Sequence, residues 1–181
     1  MPSHRPSGPQ LGDEAPAFTL PATDGERHAF PPDGDGPAVV VFTCNHCPYA
    51  LAWHDRLAAL ARDYADRGVS VVAVNPNDAE RYPGDSFDAM RERVDAEGGW
   101  PFPYMRDEDQ SVARSFGAAT TPEVFVFDAD GRLGYRGAPD ADHQDPSLNA
   151  AWVREALEAL LAGERPQRPE TEPKGCSVKW K

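Results

Sequence analysis

One stretch decides the fold: Ala38-Val39-Val40-Val41-Phe42-Thr43-Cys44-Asn45-His46-Cys47-Pro48, where an apolar run leads into two cysteines. Residues 38–43 are apolar or β-branched, which is typical of a buried strand. After Cys47, apolar residues recur at helical spacing as far as Tyr64, and Gly68 is expected to end that helix. The cysteines therefore lie at a strand-to-helix junction, where a Cys-x-x-Cys pair indicates redox chemistry if the remaining chain supplies an α/β scaffold.

Length and composition narrow the class of protein. The 181 residues suit one domain with a sizeable core. The three cysteines are too few for a disulfide-stapled scaffold, and a bridge between Cys44 and Cys47 would close almost no loop. The protein is acidic, with a net charge of -12 from 30 Asp and Glu against 18 Lys and Arg. That charge disfavours nucleic acids and anionic membranes as partners, because both would be repelled.

The two ends of the chain differ from its centre. Residues 1–10 contain three Pro, one Gly and no apolar run, so we expect a disordered leader rather than a secretory signal. No segment approaches the roughly 20 apolar residues of a membrane span, and a cytoplasmic location is expected. Residues 11–163 form the predicted domain. Residues 164–181 begin as a linker, but their closing Cys176 and Trp180 suggest that the tail docks on the domain.

The remaining segments complete an α/β pattern. We predict a hairpin over 11–30, strands at 69–74, 100–105, 124–127 and 133–136, and helices at 87–96, after Asp109 and at 148–161. A strand–helix–strand order predicts parallel pairing of 38–43 with 69–74. The loop that follows 69–74 should then lie at the same sheet edge as the cysteines, where sites are usually built.

This order of elements resembles the thioredoxin fold in its peroxiredoxin-like and TlpA/ResA-like (AhpC/TSA-type) elaboration, over residues 11 to about 162. The landmarks are the Leu11–Leu20 entry, the Cys44–Cys47 pair and Thr121-Pro122 before the next strand. The string from Phe42 to Tyr49, combined with the closing Gly175-Cys176-Ser177-Val178-Lys179-Trp180-Lys181, looks like one group of peroxiredoxin-like proteins. The resemblance implies a central mixed β-sheet flanked by helices, with an N-terminal β-hairpin extension.

The resemblance also implies thiol–disulfide exchange, in which a thiolate attacks a disulfide and a second thiol resolves the mixed intermediate. A helix N-terminus favours a thiolate, which we assign to Cys44, and Cys47 one turn later would resolve the intermediate. By resemblance Cys44 is the exposed nucleophile and Cys47 the more buried partner. The expected substrates are protein or low-molecular-weight disulfides and thiols, with no cofactor beyond the redox-active disulfide and an unspecified electron donor.

Two residues between the cysteines bear on the direction of exchange. His46 matches the C-x-H-C pattern of oxidising DsbA-type proteins, and its imidazole would stabilise the Cys44 thiolate and so the reduced form. The alternative is that His46 is only a solvated loop side chain. Asn45 departs from both the thioredoxin and the DsbA patterns, so the residues leave the direction open.

Thr121-Pro122 supplies the other side of the expected site. Thioredoxin-fold proteins carry a cis proline at this position, which would let the Thr121 backbone pair with an extended substrate chain. An ordinary trans proline at a strand start is the alternative.

A thiol peroxidase is the second enzyme class to consider, and it needs the motif P-x-x-x-T-x-x-C. Taking Cys47 as the peroxidatic residue places Val40 and Cys44 at the Pro and Thr positions. Taking Cys44 instead gives Pro37 but places Val41 at the Thr position. Both alignments lack the threonine hydroxyl, so the motif disfavours efficient peroxidase activity. A third possibility is a non-catalytic redox-sensing binding module.

The third cysteine leaves several interpretations open. Cys176 is an inert surface thiol, a regulatory cysteine, or a third redox cysteine that forms a disulfide with Cys44 or Cys47. The three cysteines with one histidine could also form a zinc site, but no second Cys-x-x-Cys or paired-histidine spacing supports it. We therefore predict no metal.

Overall fold

The computed structural model describes residues 8–181. The first seven residues of the predicted leader lie outside the described residues. Pro9, by contrast, is buried, and its carbonyl oxygen accepts a hydrogen bond from Arg136 Nη1 at 3.2 Å. The predicted leader is therefore too long, because the chain already packs against the domain at Pro9.

A five-stranded mixed sheet forms the centre of the molecule, preceded by a hairpin. The strands in chain order are β1 Phe18–Pro21, β2 Arg27–Phe30, β3 Ala38–Phe42, β4 Ser70–Asn75, β5 Tyr104–Arg106, β6 Thr120–Thr121, β7 Glu123–Phe127, β8 Leu133–Gly137 and β9 Cys176–Ser177. The central sheet has the order β5-β4-β3-β7-β8, whereas β1 pairs with β2 and β6 with β9. As predicted, β3 is parallel to β4, and it is antiparallel to β7. The central position of β3 places the residues that follow it in the middle of the sheet edge.

In the described part of the chain, four α-helices accompany the sheet: α1 Pro48–Tyr64, α2 Phe87–Ala96, α3 Ser111–Phe116 and α4 Ala151–Leu161. Alternate residues of β3 face opposite sides of the sheet. Val39 and Val41 pack in a core with side chains of α1 and α4, and Val40 and Phe42 pack in a second core with α3 and the hairpin. Since both faces of β3 are covered, its sequence is apolar without interruption.

Individual residues determine where the helices begin and end. A short 3-10 turn, Ala65–Arg67, continues α1 as far as Gly68, which adopts the left-handed φ of 78° that glycine permits. Ser86 caps α2 by accepting a hydrogen bond from the backbone N–H of Ala89. The final helix begins at Ala151, later than the predicted residue 148, because Pro146–Leu148 forms a separate 3-10 turn.

The tail is ordered against the domain. Its strand β9 pairs antiparallel with β6, and the backbone N–H of Val178 donates to the carbonyl of Ala119 at 3.0 Å. Further along, the Arg114 guanidinium lies 4.5 Å from the centre of the Trp180 ring. No helix within residues 8–181 is long and apolar enough to cross a membrane.

Candidate active site

Cys44 and Cys47 lie at the carboxyl end of β3 and at the start of α1, respectively. Cys47 is the N-cap residue, with extended backbone angles, and Pro48 is the first residue of the helix. Both cysteine side chains are fully buried. The predicted difference in exposure between them is therefore wrong: Cys44 is not an exposed thiol, because the tail and the Thr121 segment cover this edge of the sheet.

Thr121 contacts both cysteines. Its hydroxyl oxygen lies 3.3 Å from Cys44 Sγ, and its carbonyl oxygen lies 3.2 Å from Cys47 Sγ. The Thr121–Pro122 bond is cis, as predicted. A role for the Thr121 backbone was predicted from the sequence, but the contact of its hydroxyl with Cys44 was not.

The tail brings Cys176 to the same place. Its sulfur lies 2.7 Å from Cys47 Sγ, and its backbone pairs with Thr121 in the β6–β9 ladder. Cys176 is partly exposed, whereas the other two thiols are buried. All three cysteines of the chain thus belong to one cluster, with Cys47 between the other two in the chain of thiol contacts.

The pKa values of the two motif cysteines are shifted in opposite directions. A hydrogen bond from the Cys44 thiol, with further hydrogen bonds from Cys176 and the backbone of Ala50, lowers the pKa of Cys47. The same contact with Cys47, burial and the charge of Asp85 raise the pKa of Cys44. The lowered pKa therefore favours a thiolate on Cys47, the N-cap residue of α1, over the thiolate predicted on Cys44.

Asp85 is a buried carboxylate that sequence analysis did not single out. It accepts hydrogen bonds from the backbone N–H of Asn45 at 2.7 Å, from Asn75 Nδ2 at 3.1 Å and from Asn77 Nδ2 at 3.0 Å. The sequence did indicate its loop, since Asp85 follows the Pro-rich segment after β4. An isolated acid in such a loop carries no further signal in a single sequence.

His46 faces this carboxylate. Its Nδ1 lies 2.5 Å from Asp85 Oδ2, and its ring stacks on Tyr82 with centroids 5.6 Å apart. The side chain is 39% exposed. The direct partner of the imidazole is therefore Asp85, and the predicted effect on Cys44 would act across that pair.

Asn45 fixes the backbone of the motif. Its Nδ2 donates to the carbonyl of Gly84, and its Oδ1 accepts hydrogen bonds from Tyr104 Oη at 2.7 Å and Arg93 Nη1 at 3.2 Å. Arg93 Nη1 also donates to the carbonyl of Cys44 at 3.1 Å. Arg93 and Tyr104 are additional site residues that sequence analysis missed.

Some side chains of the described residues are close enough together to ligate a metal ion. Within residues 8–181, two groups have ligand atoms that all lie within 4.8 Å of one another: Cys44–His46–Asp85 and Asp24–Glu26–His28. The first group does not contain Cys47 or Cys176, so it differs from the three-cysteine zinc set considered from the sequence. Hydrogen bonding already engages His46 and Asp85 with each other. The absence of a metal stays a prediction.

A mixed sheet with a thiol cluster at the start of the helix after its central strand defines a thioredoxin-like protein. The chain belongs to the AhpC/TSA family, whose model matches residues 11–136.

Individual relatives agree with this assignment. The "Putative peroxiredoxin Rv2521" of Mycobacterium tuberculosis is 29% identical over 140 residues, covering 67% of this chain and 80% of that protein. An uncharacterized conserved protein from Geobacillus kaustophilus is 40% identical, with a TM-score of 0.89 and coverage of 95% of this chain and 93% of the other. A solution structure titled as a "Putative Thioredoxin" from Neisseria meningitidis is 26% identical, with a TM-score of 0.59 and coverage of 77% and 89%. The predicted α/β thioredoxin-like fold with an N-terminal hairpin is confirmed.

Proposed function

We propose that the protein is a thiol–disulfide oxidoreductase whose redox centre is the Cys44–Cys47 dithiol. One observation carries the proposal: both sulfurs contact Thr121, whose backbone belongs to the short edge strand β6. A substrate chain that took the place of β9 beside this strand would bring its sulfur to the dithiol. No cofactor beyond the redox-active disulfide is needed, and a reducing, cytoplasmic setting would keep the pair ready to donate electrons.

In this mechanism Cys47 attacks first, which reverses the order expected from the sequence. The Cys47 thiolate forms a bond to one sulfur of the substrate disulfide, and the other substrate sulfur leaves as a thiolate. Cys44 then attacks Cys47 Sγ, and the second substrate sulfur leaves and takes up the proton that Cys44 loses. The dithiol is oxidised to a disulfide, and the substrate disulfide is reduced to two thiols.

The surroundings of Cys44 suit a resolving thiol. Contact with Cys47, burial and the Asp85 carboxylate raise its pKa, which keeps it protonated until the mixed disulfide has formed. Arg93 and Asn45 hold its backbone in place. We assign to His46 the role of setting the reduction potential through Asp85, which is its contact in the site.

A thiol peroxidase is a second candidate, favoured by one specific contact. The Thr121 hydroxyl lies 3.3 Å from Cys44 Sγ and supplies, from another strand, the kind of group that the peroxidase motif lacks. Membership of the AhpC/TSA family points the same way. The raised pKa of Cys44 argues against it, because peroxide is reduced by a thiolate.

The first test is reduction of insulin disulfides, with dithiothreitol as electron donor. In a Cys176→Ser background, Cys47→Ser should lower the rate by roughly 100-fold or more, because the attacking thiolate is lost. Cys44→Ser in the same background should instead accumulate a stable mixed disulfide with 5-thio-2-nitrobenzoate on Cys47, because nothing resolves it. Ser177→Ala, an exposed change in the same tail, serves as the control variant.

The outcomes separate the candidates. A mixed disulfide that accumulates on Cys44 in the Cys47→Ser variant would overturn the order of attack. Stoichiometric consumption of hydrogen peroxide faster than insulin reduction would favour the peroxidase. Inactivity of the wild-type protein towards both substrates would contradict both enzymes and leave a redox-sensing binding module.

A further inference from the structure

We propose that Cys176 is an internal exchange partner of Cys47, presented by the tail on the edge where an external substrate chain would bind. This inference rests on the proposed function. It adds a third redox thiol and identifies the substrate class as extended protein segments that compete with residues 175–178 for that edge.

Strand pairing is the first observation. In the β6–β9 ladder Thr121 lies opposite Cys176 and Thr120 opposite Ser177. Main-chain hydrogen bonds of this kind accept many sequences, and side chains on alternate positions supply selectivity. The tail therefore binds as an added strand, which is how an extended peptide with a cysteine would occupy this edge.

At Gly175 the backbone of the tail lies very close to the backbone of Thr121. A Cβ atom there would lie 2.2 Å from the carbonyl oxygen of Thr121, closer than real Cβ contacts allow. Glycine thus permits the tail to approach the Thr121 backbone closely enough for the next residue, Cys176, to reach Cys47. A larger residue at this position should separate the two strands.

The tail is anchored on the far side of Cys176 as well. The backbone N–H of Lys179 donates to Asn77 Oδ1 at 2.9 Å, and its carbonyl accepts from Gln110 Nε2 at 2.9 Å. Gln110 Oε1 in turn accepts from the backbone N–H of Lys181 at 3.1 Å. These contacts hold residues 179–181 beside the site, so a local release of 175–178 opens the edge while the thiol stays tethered nearby.

Sulfur chemistry is the second observation. Cys176 Sγ lies 2.7 Å from Cys47 Sγ, and a disulfide needs about 2.05 Å, so a small movement joins them. After Cys47 and Cys44 have formed a disulfide, the Cys176 sulfur attacks Cys47 Sγ and Cys44 leaves. The Cys47–Cys176 bond forms, the Cys44–Cys47 bond breaks, and the proton lost by Cys176 passes to Cys44. The protein stays oxidised by two electrons, and no further oxidant is required.

Protonation is compatible with this transfer. Burial, followed by hydrogen bonding to Cys47, raises the pKa of Cys176 to about 11. The proton that Cys176 gives up passes to Cys44, which is fully buried and is left as a neutral thiol.

The test is to locate the disulfide in the full-length protein. Reduced protein is oxidised with one equivalent of 5,5′-dithiobis(2-nitrobenzoate), free thiols are alkylated with N-ethylmaleimide, and the product is digested with trypsin. Cys44 and Cys47 share the peptide 28–56, whereas Cys176 lies in the peptide 175–179. We expect the two peptides to be linked, with the alkyl group on Cys44. An internal bridge in 28–56 with Cys176 alkylated would overturn the inference.

Two variants test whether the position of the disulfide depends on the strand pairing of the tail. Glu172→Gln, an exposed change in the tail outside residues 175–178, should give the same linked peptides. Gly175→Val should reduce the linked species at least several-fold in favour of the Cys44–Cys47 bridge, and should raise the rate of insulin reduction, because the edge is freed. An undiminished Cys47–Cys176 yield in Gly175→Val would contradict the role of strand pairing.

Failure of this inference can be told apart from failure of the proposed function. Insulin reduction by the wild-type protein, measured on the same preparation, reports on the exchange activity alone. An active protein that forms only the Cys44–Cys47 bridge overturns the internal partner and leaves the oxidoreductase. An inactive protein overturns both.

Discussion

Cys44 and Cys47 belong to one motif, but the regions around them have opposite electrostatics. Cys44 follows the central strand β3 and lies near Asp85, a buried carboxylate that accepts hydrogen bonds from Asn75 and Asn77. Cys47 is the N-cap residue of α1, and its hydrogen bonding with Cys44, with Cys176 and with the backbone of Ala50 lowers the pKa of its thiol. Three residues of separation thus place one sulfur where a thiol is favoured and the other where a thiolate is favoured. The spacing of the two cysteines therefore identifies a redox pair, but it does not show which of them carries the thiolate.

The largest expected change comes from removing the charge on the Cys44 side. Contact with Cys47 and burial raise the pKa of Cys44, and the charge of Asp85 raises it further, so Asp85→Asn should lower this pKa. Ultraviolet thiolate absorbance in a Cys47→Ser/Cys176→Ser background, where Cys44 is the remaining thiol, measures this shift. The substitution also disturbs buried hydrogen bonds and should lower the free energy of unfolding by about 1–3 kcal/mol.

Asp78→Asn is the matched control for this prediction. Asp78 lies in the same loop, but its carboxylate pairs with Arg81. Its substitution should leave the titration of Cys44 unchanged. Equal shifts in the two variants would mean that the loop, rather than the Asp85 charge, sets the protonation of Cys44.

A smaller change is expected on replacing His46. His46→Ala removes the partner of Asp85 and leaves its negative charge uncompensated, which disfavours the reduced, thiolate-bearing form. The reduction potential should become more negative by up to about 30 mV, which corresponds to a tenfold change in the equilibrium constant. Equilibration with a glutathione or dithiothreitol couple measures it.

Tyr82→Phe is the control for His46, because it keeps the ring that stacks on the imidazole. Its potential should match that of the wild-type protein. A His46→Ala potential equal to the wild-type value would support the alternative that His46 is a solvated loop side chain.

Much of the fold could be predicted from the sequence, because the elements are locally encoded. The uninterrupted apolar run before Cys44, the helical spacing after Cys47 and the left-handed Gly68 each specify their structure without distant partners. The later start of the last helix escaped prediction, because Leu148 in the turn Pro146–Leu148 lies at helical spacing from Trp152.

The candidate site was predictable only in part. The two cysteines and Thr121-Pro122 carry recognisable local patterns. The position of the thiolate depends instead on the residue at which α1 begins and on Asp85, which lies about forty positions from Cys44 in the chain. Such long-range electrostatics leaves no periodic signal in one sequence. The tail gave a hint through Cys176 and Trp180, but its register against Thr121 needed the structure.

The central claim is that Cys47, rather than Cys44, carries the thiolate. Carbon-13 NMR of cysteine-labelled, reduced wild-type protein follows each Cβ shift with pH and reports the ionisation of each thiol in place. The structure predicts that the Cys47 signal titrates well below the ordinary thiol pKa of about 8.5, whereas the Cys44 signal stays that of a thiol throughout the range in which the protein is folded. A Cys44 signal that titrates first would contradict this account.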